Sequence, residues 1–551
     1  MIKQGDSNLS KIYLGSTEIT KAYIGDTQIY PNASVETRVV ATYNITSTSE
    51  PTTLCASVAN VSAMEVDGVD STVATSYTFN TTGNHTVKFT LTDGTTINQF
   101  MFYASSNVSN LTSLYIPDGV TTVGRMAFYG NNNLTSVRLP DSITTFNGDA
   151  HFMNCFSLTS VNIPTGITEI PIQMFEDCTS LTNVIIPDGV TYINTGAFYH
   201  CGFTSIGALD SGADLQIPHG TSWDVRAFSN CRNLTSVEIP YGVAHITDSS
   251  FENCTSLTSV TFSGDVTGID YGAFKGCTSL RTINIPDNVE DIDNQAFYGC
   301  TSLTNVTIGT GIQSIGSDIF QNCSSMESLK IEATTPPTLG SLESYNSTHY
   351  PILVHMSCLT DYQEAAEWDN YVSRLVPIES VVTTYDVRST SSATTLIQSN
   401  SGISYQIIDG VQQSSVQTTY TFSTTGKHIV AHVLMSGGDY IQHNNFENLS
   451  QLTNVIIPDG VEEIENSAFQ YCRSLTSVTI GNGVTSIQDS AFLACTALTN
   501  VTVEATTPPT LSNANAFSLT NCPIYVPAAS VNAYKTTQNW STYASRIFAI
   551  S

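Results

Sequence analysis

The dominant pattern along this chain is a unit of 23 residues in which apolar positions recur at fixed places. The unit that starts at Cys277 contains, in order, Leu280, Ile283, Ile285, Pro286, Val289, Ile292 and Phe297. The first three alternate as in a short strand, the proline ends that strand, and the last three return the chain to the interior. Each unit therefore predicts one coil with a short strand and an apolar stripe.

A Phe-x-x-Cys motif marks the same point in successive units and contains ten of the 13 cysteines. Within each run the motifs are 23 residues apart, except that 30 residues separate Cys201 from Cys231. The motifs are Phe152/Cys155, Phe175/Cys178, Phe198/Cys201, Phe228/Cys231, Phe251/Cys254, Phe274/Cys277, Phe297/Cys300, Phe320/Cys323, Phe469/Cys472 and Phe492/Cys495. A fixed period of this length indicates a solenoid, in which each coil buries its stripe against its neighbours.

These repeats resemble the BspA-like leucine-rich repeats of bacterial surface proteins, whose consensus runs Cys-x-x-Leu-x-x-Val-x-Ile-Pro-x-x-Val-x-x-Ile-Gly-x-x-Ala-Phe. The match covers residues 107–331, with ten coils, and residues 444–503, with three. The resemblance implies a leucine-rich-repeat solenoid and a role in adhesion.

Two further modules are duplicated around the repeats. The octapeptide Glu-Ala-Thr-Thr-Pro-Pro-Thr-Leu occurs twice, 172 residues apart, and predicts one C-terminal cap used twice. Helix-forming residues place the main helices in these caps, at residues 359–375 and 529–547, and Trp368 and Trp540 in their cores. Upstream of each array, alternating strands broken by Asp-Gly and Thr-Gly turns predict a small antiparallel β-domain that covers the first coil.

The predicted fold class is therefore mainly β, with solenoids, small β-domains and short helical caps. The predicted boundaries are 1–32 for an N-terminal arm, then 33–106, 107–331 and 332–379 for the first β-domain, array and cap, and 380–443, 444–503 and 504–551 for the second set.

The first 30 residues match neither module. Two ten-residue units, each with the pattern of a strand, a glycine turn and a strand, follow each other from Lys11 to Tyr30. They are too short to form a hydrophobic core of their own. Such tandems resemble segments at the start of structural proteins of gut bacteriophages, including crAss-like ones. The resemblance implies docking on a virion by strand addition, with Tyr13, Leu14, Tyr23 and Ile24 as the docking residues.

Composition narrows the function classes. With 18 Lys and Arg against 47 Asp and Glu, the net charge of −29 disfavours nucleic acid and anionic membranes as partners. No apolar run has the length of a membrane-spanning helix. The start of the sequence lacks the pattern of a secretion signal, so we expect assembly in a reducing cytoplasm.

The cysteines are expected to be free, buried thiols, because equivalent positions of stacked coils form a ladder that suits a small apolar side chain. Disulfides and metal ligation are the disfavoured alternatives, since no Cys-x-x-Cys pair occurs. At the first repeat Gly130 and Asn131 stand where later coils have Cys, as expected of an end coil.

The sequence contains no motif for catalysis or cofactor binding, so we predict no enzyme, no cofactor and no metal site. His428 and His432 share one face of a strand near His443, but ordinary surface placement is the preferred interpretation. The acidic clusters around Glu290 and Glu462 follow the solenoid pattern and are interpreted as solvated positions rather than calcium sites.

The residue after the repeated phenylalanine varies from coil to coil, which packing alone does not demand. Tyr129, Tyr199 and Tyr298 occupy this position and are the candidate partner-binding residues, with a loosely constrained solvent position as the alternative. The seven-residue excess near residues 207–214 predicts a surface loop. Trp223 aligns with Ile193 of the preceding coil and is interpreted as a core residue.

Two function classes explain these modules. The favoured one is a structural and adhesive bacteriophage appendage in the virion, of tail or head, which docks on other virion proteins through residues 1–30 and presents its solenoids to a host surface protein or glycan. The alternative is an adhesin on the bacterial cell surface. Homo-oligomer formation stays open, and a glycan depolymerase is a distant third because no carboxylate pair stands out from the repeat.

Overall fold

The computed structural model describes the backbone at residues 22–24 and 27–30, and all atoms at residues 37–104, 110–209, 211–262, 264–342, 350–435 and 439–550. Tyr13 and Leu14 lie outside the described residues. Contacts divide the chain into a first unit, Met1–Thr191, and a second unit, Tyr192–Ser551. The chain is mainly β, with 32% strand and 7% helix, so the predicted fold class is confirmed. The module boundaries stay predictions.

Each coil contributes two short strands, one to each of two parallel sheets. In the first unit the front strands are Leu111–Tyr115, Ser136–Arg138, Ser160–Val161 and Val184–Ile185, and the back strands are Thr96–Ile97, Thr122–Val123, Thr145–Phe146 and Glu169–Ile170. In the second unit the front strands are Ser205–Ala208, Leu215–Ile217, Ser236–Ile239, Ser259–Phe262, Thr282–Ile285, Asn305–Ile308, Ser328–Ile331, Leu452–Ile457, Ser477–Ile480 and Asn500–Val503. Its back strands are Tyr192–Ile193, Ser222–Trp223, His245–Ile246, Gly268–Ile269, Asp291–Ile292, Ser314–Ser317, Thr338–Ser341, Tyr440–Ile441, Glu463–Ile464, Ser486–Ile487 and Thr510–Leu511.

A stack of phenylalanine rings fills the solenoid interior. Rings of successive coils lie 4.8 to 6.1 Å apart, and Phe274 and Phe297 are parallel at 5.5 Å. All of these rings are buried. Phe102 already belongs to the stack of the first unit, so coil packing begins before the first complete repeat.

The thiols of the Phe-x-x-Cys motifs form the predicted ladder, and all 13 cysteines of the chain are free and buried. In nine of the coils the thiol donates a hydrogen bond of 2.9 to 3.4 Å to the carbonyl oxygen of the phenylalanine in the preceding coil. At the first repeat Asn131 performs the same task, since its amide donates to the carbonyl oxygens of Phe102 and Phe128.

A residue in the left-handed conformation precedes the cysteine of each Phe-x-x-Cys motif, and in most coils it is Asn, Asp or Gly. Asn154, Asp177 and Asn253 have φ between 59° and 64° at this point, and Gly276 has φ of 74°. Glycine, asparagine and aspartate tolerate this region better than other residues. Where the residue is Asn, Asp or Gly, the turn before the cysteine is therefore favoured locally. Other residue types adopt the same conformation before three of the cysteines: His200, Tyr471 and Ala494.

Each β-domain extends the front sheet by antiparallel pairing. The strands of the first domain are Val39–Ile45, Thr52–Thr53, Val61–Val66, Val69–Ser71, Ser76–Tyr77 and Gly83–Leu91; those of the second are Val381–Val387, Thr394–Thr395, Ile403–Ile408, Val411–Gln412, Thr419–Tyr420 and Gly426–Leu434. Val39–Ile45 pairs with the coil strand Leu111–Tyr115, and Val381–Val387 pairs with Leu452–Ile457. The terminal coil thus gains a hydrogen-bonded neighbour.

The caps contain the predicted helices, but as short α and 3-10 pieces. The first cap has strands Ile352–Val354 and Leu375–Pro377, α-helix Leu359–Glu364 and 3-10 helices Met356–Cys358 and Ala366–Arg374. The second has strands Ile524–Val526 and Ile547–Ala549, α-helix Val531–Thr536 and 3-10 helices Ala528–Ser530 and Trp540–Arg546. Trp368 and Trp540 are fully buried, as predicted, and their indole N–H groups donate to the carbonyls of Pro337 and Pro509.

The seven-residue excess does not form only a surface loop. It adds a strand, since Ser205–Ala208 pairs in parallel with Leu215–Ile217 across a short connection. Leu215 and Ile217 alternate inward, which gives the insertion an apolar face to bury. Trp223 is buried and pairs with Ile193 in register, so its interpretation as a core residue is confirmed.

The interpretation of His428 and His432 as surface residues is wrong. His428 lies against Asp409 at 2.7 Å, and His432 is fully buried beside Thr383 and Gln406. Among the residues that the structure describes, no cluster of His, Cys, Asp or Glu could hold a metal ion. Likewise, no described helix is long and apolar enough to cross a bilayer.

Replacing Phe274 by Ala should lower the free energy of unfolding by about 3 to 5 kcal/mol, because the ring is buried between two parallel neighbours. Tyr241→Ala is the matched control, since Tyr241 is 57% exposed. Thermal melting and limited proteolysis check the prediction. A Phe274→Ala protein that melts like Tyr241→Ala would contradict it.

Iodoacetamide should label few thiols in the native protein and nearly all of them in urea. Burial raises the pKa of Cys155 and of Cys231 to about 12. These thiols are therefore both inaccessible to the reagent and protonated at neutral pH, and only the thiolate reacts with iodoacetamide. Mass spectrometry of the labelled peptides gives the count. Fast native labelling of the Phe-x-x-Cys thiols would show that the ladder is open to solvent.

Acid should destabilise the second β-domain through His432. Burial lowers the pKa of this imidazole to about 3, whereas the unfolded chain protonates near pH 6.5. Between these values only the unfolded state binds the proton, so the free energy of unfolding falls as pH decreases, by up to about 1.4 kcal/mol per pH unit. Urea unfolding from pH 7 to pH 4 measures this slope.

The first β-domain supplies the variant that removes this pH dependence. Ala41, Met64 and Phe89 stand there in place of Thr383, Gln406 and His432. The triple change Thr383→Ala, Gln406→Met and His432→Phe should reduce the slope, and His443→Gln, at an exposed site, should not. Equal slopes in the wild type and the triple variant would refute the assignment.

Candidate binding surface

The duplicated β-domain and array give the chain two copies of one sheet face, and the two copies differ in character. In the first unit, cross-strand pairing places six residues in one row: Asp70, Glu65, Lys88, Val40, Tyr115 and Arg138. Neighbouring strands lie about 4.8 Å apart and side chains alternate along each strand, so this row shares one face of the sheet. We call it the charged row.

Ion pairs organise both ends of the charged row. Glu65 accepts from Arg38 at 2.7 Å and lies 3.5 Å from the ammonium of Lys88. The hydrogen bond from Arg38 holds the pKa of Glu65 below its usual range. At the other end Arg138 pairs with Asp118 at 2.8 Å.

An aromatic ring lies within the charged row. The guanidinium of Arg138 lies 5.0 Å from the ring centre of Tyr115, which is a cation–π distance. The side chains of Arg38, Lys88 and Arg138 keep between 27% and 30% of their exposure. The row therefore combines charged groups of both signs with an aromatic ring at a solvent-accessible sheet face.

A row of hydroxyl groups runs beside the charged row. Thr86, Thr42, Ser113, Ser136 and Ser160 are paired in register across five strands. Hydroxyl groups both donate and accept hydrogen bonds. The face offers a partner ion pairs along one line and adaptable hydrogen bonds along the next.

The second copy of the charged row is buried and, apart from one threonine, apolar. The positions equivalent to Glu65, Lys88, Val40, Tyr115 and Arg138 hold Ile407, Ala431, Val382, Ile456 and Thr479, respectively, each at most 7% exposed. In this unit the sheet packs against the last coils of the first array and the cap that follows them. The contacts between the two parts include Lys330 with Asp459 at 3.7 Å, Asn500 with Glu327 at 3.3 Å, Arg281 over Tyr525 at 5.2 Å, and Tyr405 with Met356 at 3.1 Å.

The Asp–His–Thr contacts in both β-domains look at first like catalytic groups. His428 lies 2.7 Å from Asp409, and its other nitrogen lies 3.3 Å from the hydroxyl and 3.0 Å from the carbonyl oxygen of Thr424. Burial alone would lower the pKa of His428, but the hydrogen bond and charge of Asp409 raise it. With one nitrogen against Asp409 and the other against Thr424, this imidazole ties the turn at Thr424 to the neighbouring strands.

The structure places the three candidate tyrosines at half-buried positions. Tyr129 stacks on Tyr103 at 4.9 Å and accepts a hydrogen bond from Asn154. Tyr298 lies 5.4 Å from the ammonium of Lys275. In the second unit the row that contains Tyr199 and Tyr298 also contains two buried residues, Ser229 and Gln321. Their role in partner binding stays a prediction.

Of the candidate docking residues, Tyr23 and Ile24 belong to a strand. Ala22–Ile24 pairs antiparallel with Thr27–Tyr30, which agrees with the two strands expected from the second ten-residue unit. Their docking role stays a prediction.

Sequence reasoning missed the charged row, although the chain contains the signal for it. In the sequence of each single strand, these residues look like the solvent-facing positions of any strand in which apolar and polar residues alternate. Aligning the two β-domains would have exposed the contrast, because Glu65 and Lys88 correspond to Ile407 and Ala431. A change of both residues of a cross-strand pair from charged to apolar indicates that one face is open and the other covered.

Comparison with known proteins agrees with this architecture. The model of the BspA type leucine rich repeat region matches six copies, over residues 95–216, 221–341 and 418–544, which is more than half of the chain. Among curated proteins, no sequence matches significantly.

Several solved structures match this chain at low sequence identity and low TM-score. A leucine-rich repeat protein from Bacteroides ovatus is 18% identical, covers 73% of this chain and 91% of its own, and gives a TM-score of 0.33. A leucine rich cell surface protein from Faecalibacterium prausnitzii is 22% identical, with 73% and 92% covered and a TM-score of 0.28. The pneumococcal vaccine antigen PcpA is 16% identical, with 80% and 92% covered and a TM-score of 0.27. With its repeats, paired sheets and family match, this chain belongs to the BspA type leucine-rich repeat family.

Proposed function

We propose that this chain is an adhesion protein that binds a surface partner through the charged row and the neighbouring hydroxyl row of its first unit. The observation that carries the proposal is the contrast between the two copies of the sheet face. Where this row packs within the chain it is mostly apolar, and where it faces solvent it carries Glu65, Lys88, Tyr115 and Arg138. Exposed aromatic and arginine side chains are enriched at interfaces with protein partners.

Family membership supports a binding role, since leucine-rich-repeat solenoids are typically non-enzymatic scaffolds. The charged row carries both acidic and basic side chains, so it favours a partner with charges of both signs over a partner with negative charges alone. Alternating ion pairs discriminate among partners more than they add affinity. Specific recognition of one host surface protein or glycan follows from such a face.

As the carrier we propose a bacteriophage virion, in which residues 1–30 dock on other structural proteins and the solenoids face outwards. The strand tandem supports this choice, because a hairpin without a core can be completed by strand addition. The alternative carrier is the bacterial cell surface. The thiols fit both carriers, since buried thiols are protected from oxidants in either compartment.

Reversing the charge at Arg138 and removing the ring of Tyr115 should weaken surface binding at least about tenfold, because both side chains act at the solvent face of one row. The measurement is binding of purified Tyr115→Ala and Arg138→Glu proteins to whole bacterial cells and to immobilised matrix proteins. Arg232→Glu is the control, since Arg232 is exposed and lies outside the charged row. Equal binding by all three variants would refute the assignment of this face.

Deleting residues 1–30 should leave a folded protein that no longer enters virions, whereas deleting residues 444–551 should leave incorporation intact. Mass spectrometry of gradient-purified particles measures incorporation. Full incorporation of the arm-deleted protein would contradict docking through the arm. Absence of the wild-type chain from particles, together with its presence on a bacterial envelope, would establish the alternative carrier.

A further inference from the structure

A cavity of about 330 Å³ lies within the second unit, where the last coil of the first array faces the second β-domain and the second array. The residues that matter for its chemistry are Glu327, Asp386, Lys427, Asn454 and Ser477. We call it the Asn454 cavity. Its volume is at the lower end of the range of small-molecule sites, which is about 300 to 1,000 Å³.

The Asn454 cavity has a polar rim and a buried floor. Ser324, Lys427 and Thr476 are exposed at the rim, so the cavity opens to solvent. Asn454 and Ser477 are 8% and 2% exposed and form part of the floor. A molecule that enters would leave water at the floor and stay accessible at the rim.

The floor presents a hydrogen-bond acceptor without a donor. The amide nitrogen of Asn454 donates to the hydroxyl of Ser477 at 2.6 Å. The amide oxygen of Asn454 is buried and has no hydrogen-bond partner among the residues that the structure describes. Buried polar atoms nearly always have a hydrogen-bond partner. We therefore expect a molecule in the cavity to donate an O–H or N–H group to this oxygen.

The other polar groups point to a ligand that both donates and accepts. Lys427 provides a donor, and Asp386, paired with it across adjacent strands, provides an acceptor. Glu327 accepts from Asn500, and burial raises the pKa of its carboxyl. Acidic groups outnumber the single ammonium, which disfavours an anionic ligand.

Neighbouring hydroxyl groups on a compact ring meet these requirements. A sugar ring carries O–H groups that can donate to the Asn454 oxygen and to Asp386 while accepting from Lys427. It is uncharged and of a size that suits the cavity. We infer that the Asn454 cavity binds a single sugar ring at the end of a glycan.

The first unit offers a comparison for the Asn454 cavity, because it contains the equivalent strands. Asn44, Asn84 and Ser113 occupy the positions equivalent to Asp386, Lys427 and Asn454. Asn44 and Asn84 are exposed there, on an open sheet face. These positions supply matched controls on the equivalent strands, at exposed sites.

The test is saturation-transfer NMR on the full chain with D-glucose, D-galactose, D-mannose and N-acetyl-D-glucosamine as separate probes. We expect transfer to at least one sugar, with a dissociation constant on the order of 1 mM, as for a single ring with a few hydrogen bonds. Asp386→Ala, Lys427→Ala and Asn454→Leu should each weaken binding about tenfold, because each removes a group that pairs with the sugar. Asn44→Ala and Asn84→Ala should leave it unchanged.

Thermal melting of each variant separates loss of binding from loss of folding, and the rim variants Asp386→Ala and Lys427→Ala keep the test decisive if Asn454→Leu is unstable. Absence of transfer to all four sugars would show that water alone fills the cavity and would overturn the proposal. Transfer that survives all three cavity variants would place the sugar elsewhere and overturn it as well. Cell binding through Tyr115 and Arg138 is measured separately, so either proposal can fail without the other.

Discussion

The structure depends on one constraint, which is that a coil can satisfy its backbone and bury its phenylalanine only against another coil. The ring of Phe274 is enclosed because Phe251 and Phe297 lie on either side of it. The thiol of Cys277 completes the same contact by donating to the coil before it. Neither interaction is available to a coil in isolation, so the fold has to supply something at each end.

The end modules answer this constraint in chemically different ways. At the start of the first array Asn131 provides the donor that cysteine provides elsewhere, and Val39–Ile45 pairs with the first front strand. At the end of the second array Trp540 closes the ring stack against Phe517. The duplicated β-domains and caps are therefore the parts that make each array a closed structure.

The sequence predicts the repeated part of the fold well, because the signals are local. The spacing of Phe and Cys, the core position of Trp223 and the cap tryptophans all follow from periodicity or alignment to a neighbouring coil. The strand added by the insertion was missed, since its alternation at Leu215 and Ile217 spans too few residues to distinguish it from a loop.

The candidate sites could not be predicted in the same way, because they depend on which parts of the folded chain pack against each other. Nothing in the neighbourhood of Asn454 shows that a coil more than a hundred residues earlier covers it. His432 also read as a surface residue, and its burial follows from concerted changes at Thr383 and Gln406 on other strands. Cross-copy comparison within the chain recovers part of this information, since a change shared by contacting positions indicates a new environment.

The thiol ladder has a consequence for how such chains evolve. Each sulfur bonds backward to the preceding coil at the same relative position, so any two coils of an array present interchangeable junctions. Unequal recombination between repeats can then insert or remove a whole coil while every junction keeps its donor and acceptor. The length of the solenoid therefore changes in steps of one coil, independently of the modules at its ends. Evolution can adjust this length without changing the surfaces through which the array contacts those modules.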